Sequence, residues 1–160
     1  MRLSVALRLL DLFVLSPSSG VVDDVEVLEP RWLDRMVSVA QDPQVGAVGA
    51  KLLFEDGTIQ HVGIYFNRDG WVGHVHIFEP DEVGVLGAKV VDLDVLAVTG
   101  ACLLVRRSLF EEVGGFVESL PLNFNDVDFC LKLAAAGYRC VVTPAARLHH
   151  FESSTRTADL

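Results

Sequence analysis

Three short stretches hold the residues best suited to chemistry. Asp23 and Asp24 close a short apolar run in "VVDDVEVLEP", Asp126 and Asp128 flank a valine in "NFNDVDFC", and His149 and His150 are adjacent in "RLHHFESSTR". Hard divalent cations such as Mg2+ take carboxylates together with phosphate oxygens, and Mn2+ also accepts imidazole. One or two Asp with a His therefore make half a coordination shell for a metal-bound diphosphate, and a separate carboxylate is left to act as a base. Each feature also has an ordinary structural use. Paired Asp residues suit a solvated turn, Asp in the first turn of a helix is favoured by the helix dipole, and a surface His pair often has no role. By type and spacing alone, a metal-dependent transferase and a metal-dependent hydrolase both stay open.

Residues so far apart in the chain need a scaffold that collects them. In open α/β sheets ligands gather beyond the carboxyl ends of strands, and the sequence pattern predicts such a sheet. Val21, Val22, Val25 and Val27 form a β-rich segment. In "EPRWLDRMVSVAQDP", Trp32, Leu33, Met36, Val37 and Ala40 recur at helical spacing, with Pro30 at the first turn and Pro43 at the stop. "VGAVGAKLLF", Val45 to Phe54, has the continuous apolar character of a strand covered on both faces, and "EDG" turns the chain into a further strand, "TIQHVGIYF". From Asn67 to Val91 the chain is rich in Gly and polar residues, with His74 and His76 two apart; it is expected to be a surface excursion, with a binding loop as the alternative.

"VLAVTGACLLVRR" follows as one apolar strand, then a short helix, "SLFEEVGG", capped by Ser108 and stopped at Gly114 or Gly115. Asn125 is expected to cap a helix whose core face is Val127, Cys130, Leu131 and Ala134, with Gly137 as its stop and "YRCVV" as the next strand. Asp126 and Asp128 then fall in the first helical turn. The alternation of strands and helices gives an α/β layered domain.

Composition narrows the classes. The 160 residues fit one domain with a sizeable core, 51% are hydrophobic, and the formal net charge of −9 argues against nucleic acid as a partner. Cys102, Cys130 and Cys140 lie in apolar stretches without CxxC spacing, as reduced core residues of a cytosolic protein would. Arg8 and Asp11 split the apolar run of "MRLSVALRLLDLFVLSPSSG" below the length of a membrane span or signal peptide. A core helix or strand is expected there, with peripheral membrane contact as the alternative.

Read in order, "VVDDVEVLEPRWLDRMV", "VGAVGAKLLFEDGTIQHVG", "VTGACLLVRRSLFEEVGGF", "FNDVDFCLKLAAAGYRCVVTPAARLHH" and "ESSTR" resemble the second half of bacterial family 2 glycosyltransferases, GT-A-fold enzymes that include rhamnosyltransferase-like proteins of surface polysaccharide synthesis. The blocks run from Val21 to Arg156. The resemblance implies a Rossmann-like α/β fold of the nucleotide-diphospho-sugar transferases, with a mixed sheet flanked by helices. It also implies transfer of a sugar, with inversion, from a nucleotide-diphosphate sugar to a hydroxyl of a glycan or lipid-linked acceptor, dependent on Mg2+ or Mn2+. By the same resemblance Asp23 and Asp24 meet the nucleotide diphosphate, Asp24 and His150 bind the metal, and Asp126 is the general base. Thr99, Gly100, Ala101 and Asp128 line the acceptor side. The paired acids at a strand end then have a reason, since a bound cation offsets their repulsion.

Two positions depart from the family pattern. Val22 replaces the first polar residue of the Asp motif, and Asn125 replaces the acid that precedes the base. The resemblance further implies about a hundred residues, a small domain's worth, ahead of the Asp motif. Residues 1–20 do not resemble that lead-in. The expected organisation is an atypical segment, 1–20, followed by a partial GT-A domain, 21–160, incomplete at its N-terminus. Self-association or a partner chain would supply the other half, and a catalytically silent interaction module is the second expectation. A cytoplasmic location, with the inner face of the membrane as an option, follows from the resemblance.

Overall fold

The computed structural model describes residues 11–15, 25–87, 89–117, 119–120 and 124–151. Their elements are β1 (Leu12–Leu15), β2 (Val25–Val27), α1 (Trp32–Ala40), β3 (Val45–Leu53), β4 (Ile59–His61), β5 (Ile64–Phe66), β6 (Val72–His74), β7 (Leu93–Val95), β8 (Leu103–Arg106), α2 (Arg107–Glu112), α3 (Asn125–Ala135) and β9 (Arg139–His150). One sheet follows the path β1, β8, β3, β9, β2, with β4 added to β3 and β7 added to β9. The central pair β3 and β9 is parallel and the other pairs are antiparallel, so the sheet is mixed.

The continuous apolar run of β3 is explained by its place at the centre, where every one of its residues is buried. Side chains alternate across the sheet. Val48, Ala50 and Leu52 meet Met36 and Ala40 of α1 on one face, while Ala47 and Leu53 join Leu109 of α2 and Val127, Phe129, Cys130 and Leu133 of α3 on the other. Three layers result, helix on sheet on helices. Phe110, Phe116 and Phe129 lock α2 to α3, with ring centroids 5.1 to 5.5 Å apart. Leu12 to Leu15 pair with β8, which makes this part of the N-terminal run a strand of the sheet. Among the described residues no helix is long and apolar enough to cross a membrane.

Several expected elements change in the structure. "TIQHVGIYF" is two strands, because Gly63 adopts φ +122° and any Cβ there would meet Val95 at 2.6 Å. β4 stays on the main sheet, and β5 turns away to pair with β6 as a separate ribbon. The 67–91 segment is thus not a plain excursion. It returns β6 over the domain and supplies Asp81, which bonds the buried Lys51 and, at 2.7 Å, Arg147. "VLAVTGACLLVRR" is likewise broken, into β7, a 3-10 turn over Gly100–Cys102, and β8.

Helix starts differ too. Ser108 lies inside α2 rather than capping it, and its N–H donates to Asp11 Oδ2 at 3.1 Å. Phe124, at φ +64°, takes the N-cap of α3, while Asn125 Oδ1 accepts from the Val117 N–H at 2.9 Å. The buried face of α3 is Val127, Phe129, Cys130 and Leu133, with Leu131 and Ala134 exposed. Finally, "YRCVV" is only the start of the twelve-residue β9, which carries His149 and His150 as strand residues. It survives Pro144 because its register against β3 jumps from Thr143 to Arg147, a bulge that leaves Pro144 out of the ladder.

Candidate functional site

The registers bring distant residues to the carboxyl ends of the parallel pair β3 and β9. Leu52 faces His61, Gly49 faces Leu103 just after the 99–101 turn, and Val25 faces His150. Gly49 permits this convergence, since a Cβ there would meet Val98 at 2.7 Å. The turn itself is closed by Thr99, whose Oγ1 accepts the Ala101 N–H at 3.4 Å.

Asp126 joins this turn from the first turn of α3. Its Oδ2 accepts the Gly100 N–H and its Oδ1 the Val127 N–H, both at 2.9 Å. The half-buried carboxylate is therefore held at the mouth of the site, beside the positive end of the helix dipole. Asp128 does not share that site geometry. It forms an ion pair with Lys132 at 2.8 Å, one turn along the helix, and Lys132 also donates to the Gly115 carbonyl at 3.0 Å.

The histidine pair divides, as neighbours on a strand must. His149 turns to Glu26 at 3.5 Å, and His150 turns to Gln60. The Gln60 amide donates to the His150 carbonyl at 3.3 Å, so its Oε1, 2.7 Å from His150 Nδ1, accepts the ring proton. A ligating imidazole usually has such an outer partner on its second nitrogen. Asp23 and Asp24 lie outside the described residues, and the nearest described position is Val25, opposite His150. Among the described residues, no three or more His, Cys, Asp or Glu side chains group as a metal site.

Sequence reasoning missed Gln60 and His61, and marked His74 only as one of two histidines in the 67–91 segment. His61 is buried on β4, with Nε2 3.3 Å from the Thr99 nitrogen and Nδ1 2.9 Å from His74 Nδ1. Burial, then the neighbouring His74 and His150, holds its imidazole well below the usual 6.5. The available signal was two consecutive polar residues inside the apolar "TIQHVGI". Cys130 also borders the site, and its thiol is pushed well up by a hydrogen bond with Cys140 and by burial. Burial alone pushes Cys102 up to about 12. All three cysteines are free and buried, which fits inert core thiols.

A depression of about 410 Å³ opens at the other, amino ends of β3 and β9. Arg139 bridges Asp42 and Asp94 there, each at 2.6 Å, and no residue of the candidate site lines it.

Known proteins share both sequence and fold with this chain. It is 49% identical over 138 residues to the uncharacterized protein y4gI of Sinorhizobium fredii, covering 85% of this chain and 15% of that protein. Identity is 44% over 139 residues to the O-antigen biosynthesis protein RfbC of Myxococcus xanthus, covering 86% and 11%. It is 48% over 148 residues to an N-acetylglucosaminyl-diphospho-decaprenol L-rhamnosyltransferase of Mycobacterium tuberculosis, covering 79% and 44%. The chain thus spans less than half the length of these relatives.

Among solved structures, GalNAc-T7 with UDP, GalNAc and Mn2+ superposes with a TM-score of 0.63 at 15% identity, covering 88% of this chain and 27% of that one. The mannosyltransferase PcManGT of Pyrobaculum calidifontis, in complex with GDP-Man and Mn2+, gives 0.54 at 18% identity, covering 91% and 33%. These likenesses show the GT-A fold that the sequence implied. Residues 23–159 match the family described as Glycosyl transferase family group 2, and with most of the chain inside that match, this protein belongs to that family.

Proposed function

We propose that residues 21–160, with β1 of segment 1–20 completing their sheet through β8, act as a GT-A unit that moves a sugar from a nucleotide-diphosphate sugar to an acceptor hydroxyl with inversion. The observation that carries this reading is the Asp126 carboxylate, fixed at the first turn of α3 by the Gly100 N–H at the carboxyl ends of the central strands. A base must be held within hydrogen-bond reach of the hydroxyl it deprotonates, and an anchored carboxylate meets that need without reorganising. Thr99, Gly100 and Ala101 border it and are assigned to the acceptor side, with Asp128 two positions further along the helix.

Asp24 and His150 would hold Mg2+ or Mn2+, and Asp23 would assist with the nucleotide. The donor chemistry fits, since carboxylate with imidazole suits Mn2+, and His150 already has Gln60 as its outer partner. Such a cation neutralises charge on the departing diphosphate. Relatives named for O-antigen synthesis and for a decaprenol-linked acceptor support a glycan or lipid-linked acceptor in surface polysaccharide synthesis.

Calorimetric titration of the chain with UDP, dTDP and GDP, each with and without Mn2+, tests the donor half of this reading. Metal-dependent binding that is lost in Asp24→Ala supports it. Absence of binding in a folded sample would leave an interaction module of the same fold.

A further inference from the structure

Three consecutive backbone positions before β8 are each held by a side chain from elsewhere in the fold. Cys130 Sγ receives the Val98 N–H at 3.5 Å, His61 Nε2 receives the Thr99 N–H at 3.3 Å, and Asp126 Oδ2 receives the Gly100 N–H at 2.9 Å. A backbone N–H can only donate, so His61 Nε2 carries no proton. A neutral imidazole that accepts at one nitrogen donates at the other. The His61 proton therefore sits on Nδ1 and points to His74 Nδ1, which accepts it at 2.9 Å. These contacts tie β4, β6 and the 99–101 turn through one rigid ring.

We propose that His61 is a positioning residue: in its Nδ1–H form it anchors Thr99 through Nε2, and so sets the turn from which Gly100 grips the Asp126 carboxylate. The inference rests on the reading of Asp126 as the base and adds the element that orients it. Burial makes the assignment specific. With 1% of its surface exposed, the His61 ring is held in one place within the core, and without its Nε2 the Thr99 N–H loses this protein partner. A cationic ring could not accept from Thr99, and its surroundings oppose that charge.

Two polar variants separate the contacts. Gln at position 61 can place its amide oxygen near the position of Nε2 and reach Thr99; Asn is one methylene shorter and reaches only toward His74. In amide hydrogen exchange on the full chain, His61→Asn is expected to lower protection of Thr99 and Gly100 by about fivefold to tenfold relative to His61→Gln, with β3 and β9 unchanged. In a transfer assay the Asn variant is expected to lose kcat by a similar factor while Mn2+-dependent nucleotide affinity holds, and Gln is expected to restore it.

Equal protection of Thr99 and Gly100 in the two variants would overturn the positioning role, whatever the chain transfers. Loss of protection in Asn alone, in a chain that binds no nucleotide, would support the anchor and overturn the transferase reading instead. Should the Asn variant fail to fold, ring-nitrogen NMR of the unaltered protein decides. An unprotonated Nε2 with a protonated Nδ1 supports the proposal, and a proton on Nε2 overturns it.

Discussion

Gly100 and Asp126 stand 26 positions apart, and the Gly100 N–H donates to Asp126 Oδ2 at 2.9 Å. The turn before β8 and the start of α3 are thereby joined, which fixes a carboxylate that would otherwise swing at a helix terminus.

If Asp126 is the base, Asp126→Asn keeps a carbonyl oxygen for Gly100 but cannot take a proton. Transfer should fall about a hundredfold or more, the typical worth of a positioned base, while nucleotide affinity stays unchanged. Full turnover in Asp126→Asn, measured with a radiolabelled donor, would remove Asp126 from that role.

Gln60→Ala tests the metal assignment one step away from the proposed ligands. Loss of the partner that orients His150 should weaken Mn2+-dependent nucleotide binding about tenfold. Unaltered affinity by calorimetry would mean that His150 does not ligate the cation.

The buried neutral His61 ties stability to pH. Its folded value lies below the usual 6.5, chiefly through burial, so below that pH the unfolded chain binds a proton that the folded chain refuses. The contribution is complete above about pH 6.5 and is lost on acidification, by up to about 1.4 kcal/mol per pH unit, until the folded ring itself protonates. Asp42, Asp56 and Glu79, lowered by hydrogen bonds from Gln44, Thr58 and Lys89 respectively, lose their contributions only at more acidic pH. Between pH 5 and 6.5, urea denaturation of His61→Gln should therefore show a shallower slope than the unaltered protein. Parallel slopes would contradict the assignment.

Asp81 holds two cations, Lys51 and Arg147, to the 67–91 segment. Removing one partner of a buried ion pair costs about 3 to 5 kcal/mol, because the other charge is left without compensation. Asp81→Ala should lower stability by about 3 kcal/mol in denaturant titration, and a change under about 1 kcal/mol would show that the contact contributes little.

Gly49→Ala would drive a methyl group into Val98, next to Thr99. Overpacking of this kind costs about 1 to 3 kcal/mol. The accompanying shift should also disturb Thr99 and Gly100, visible as amide chemical-shift changes larger than those in α1.

Local pattern was enough for α1, β3 and the turn before Gly57, because helical spacing, unbroken apolar runs and Asp-Gly turns act over a few residues. The ordered blocks likewise identified the family, Asp126 and His150 as residues of interest before any contact was known. What only the folded chain decided is how those residues are held. "TIQHVGIYF" reads as one strand until Gly63 meets Val95, and Asn125 reads as a cap until its amide bonds Val117. Nothing local marks Gln60 as the partner of His150, 90 positions away, or His61 as the partner of Thr99, 38 positions away. Sequence spacing fixes contacts along one element, whereas contacts between elements depend on strand register and on which polar groups remain unpaired once the core has closed.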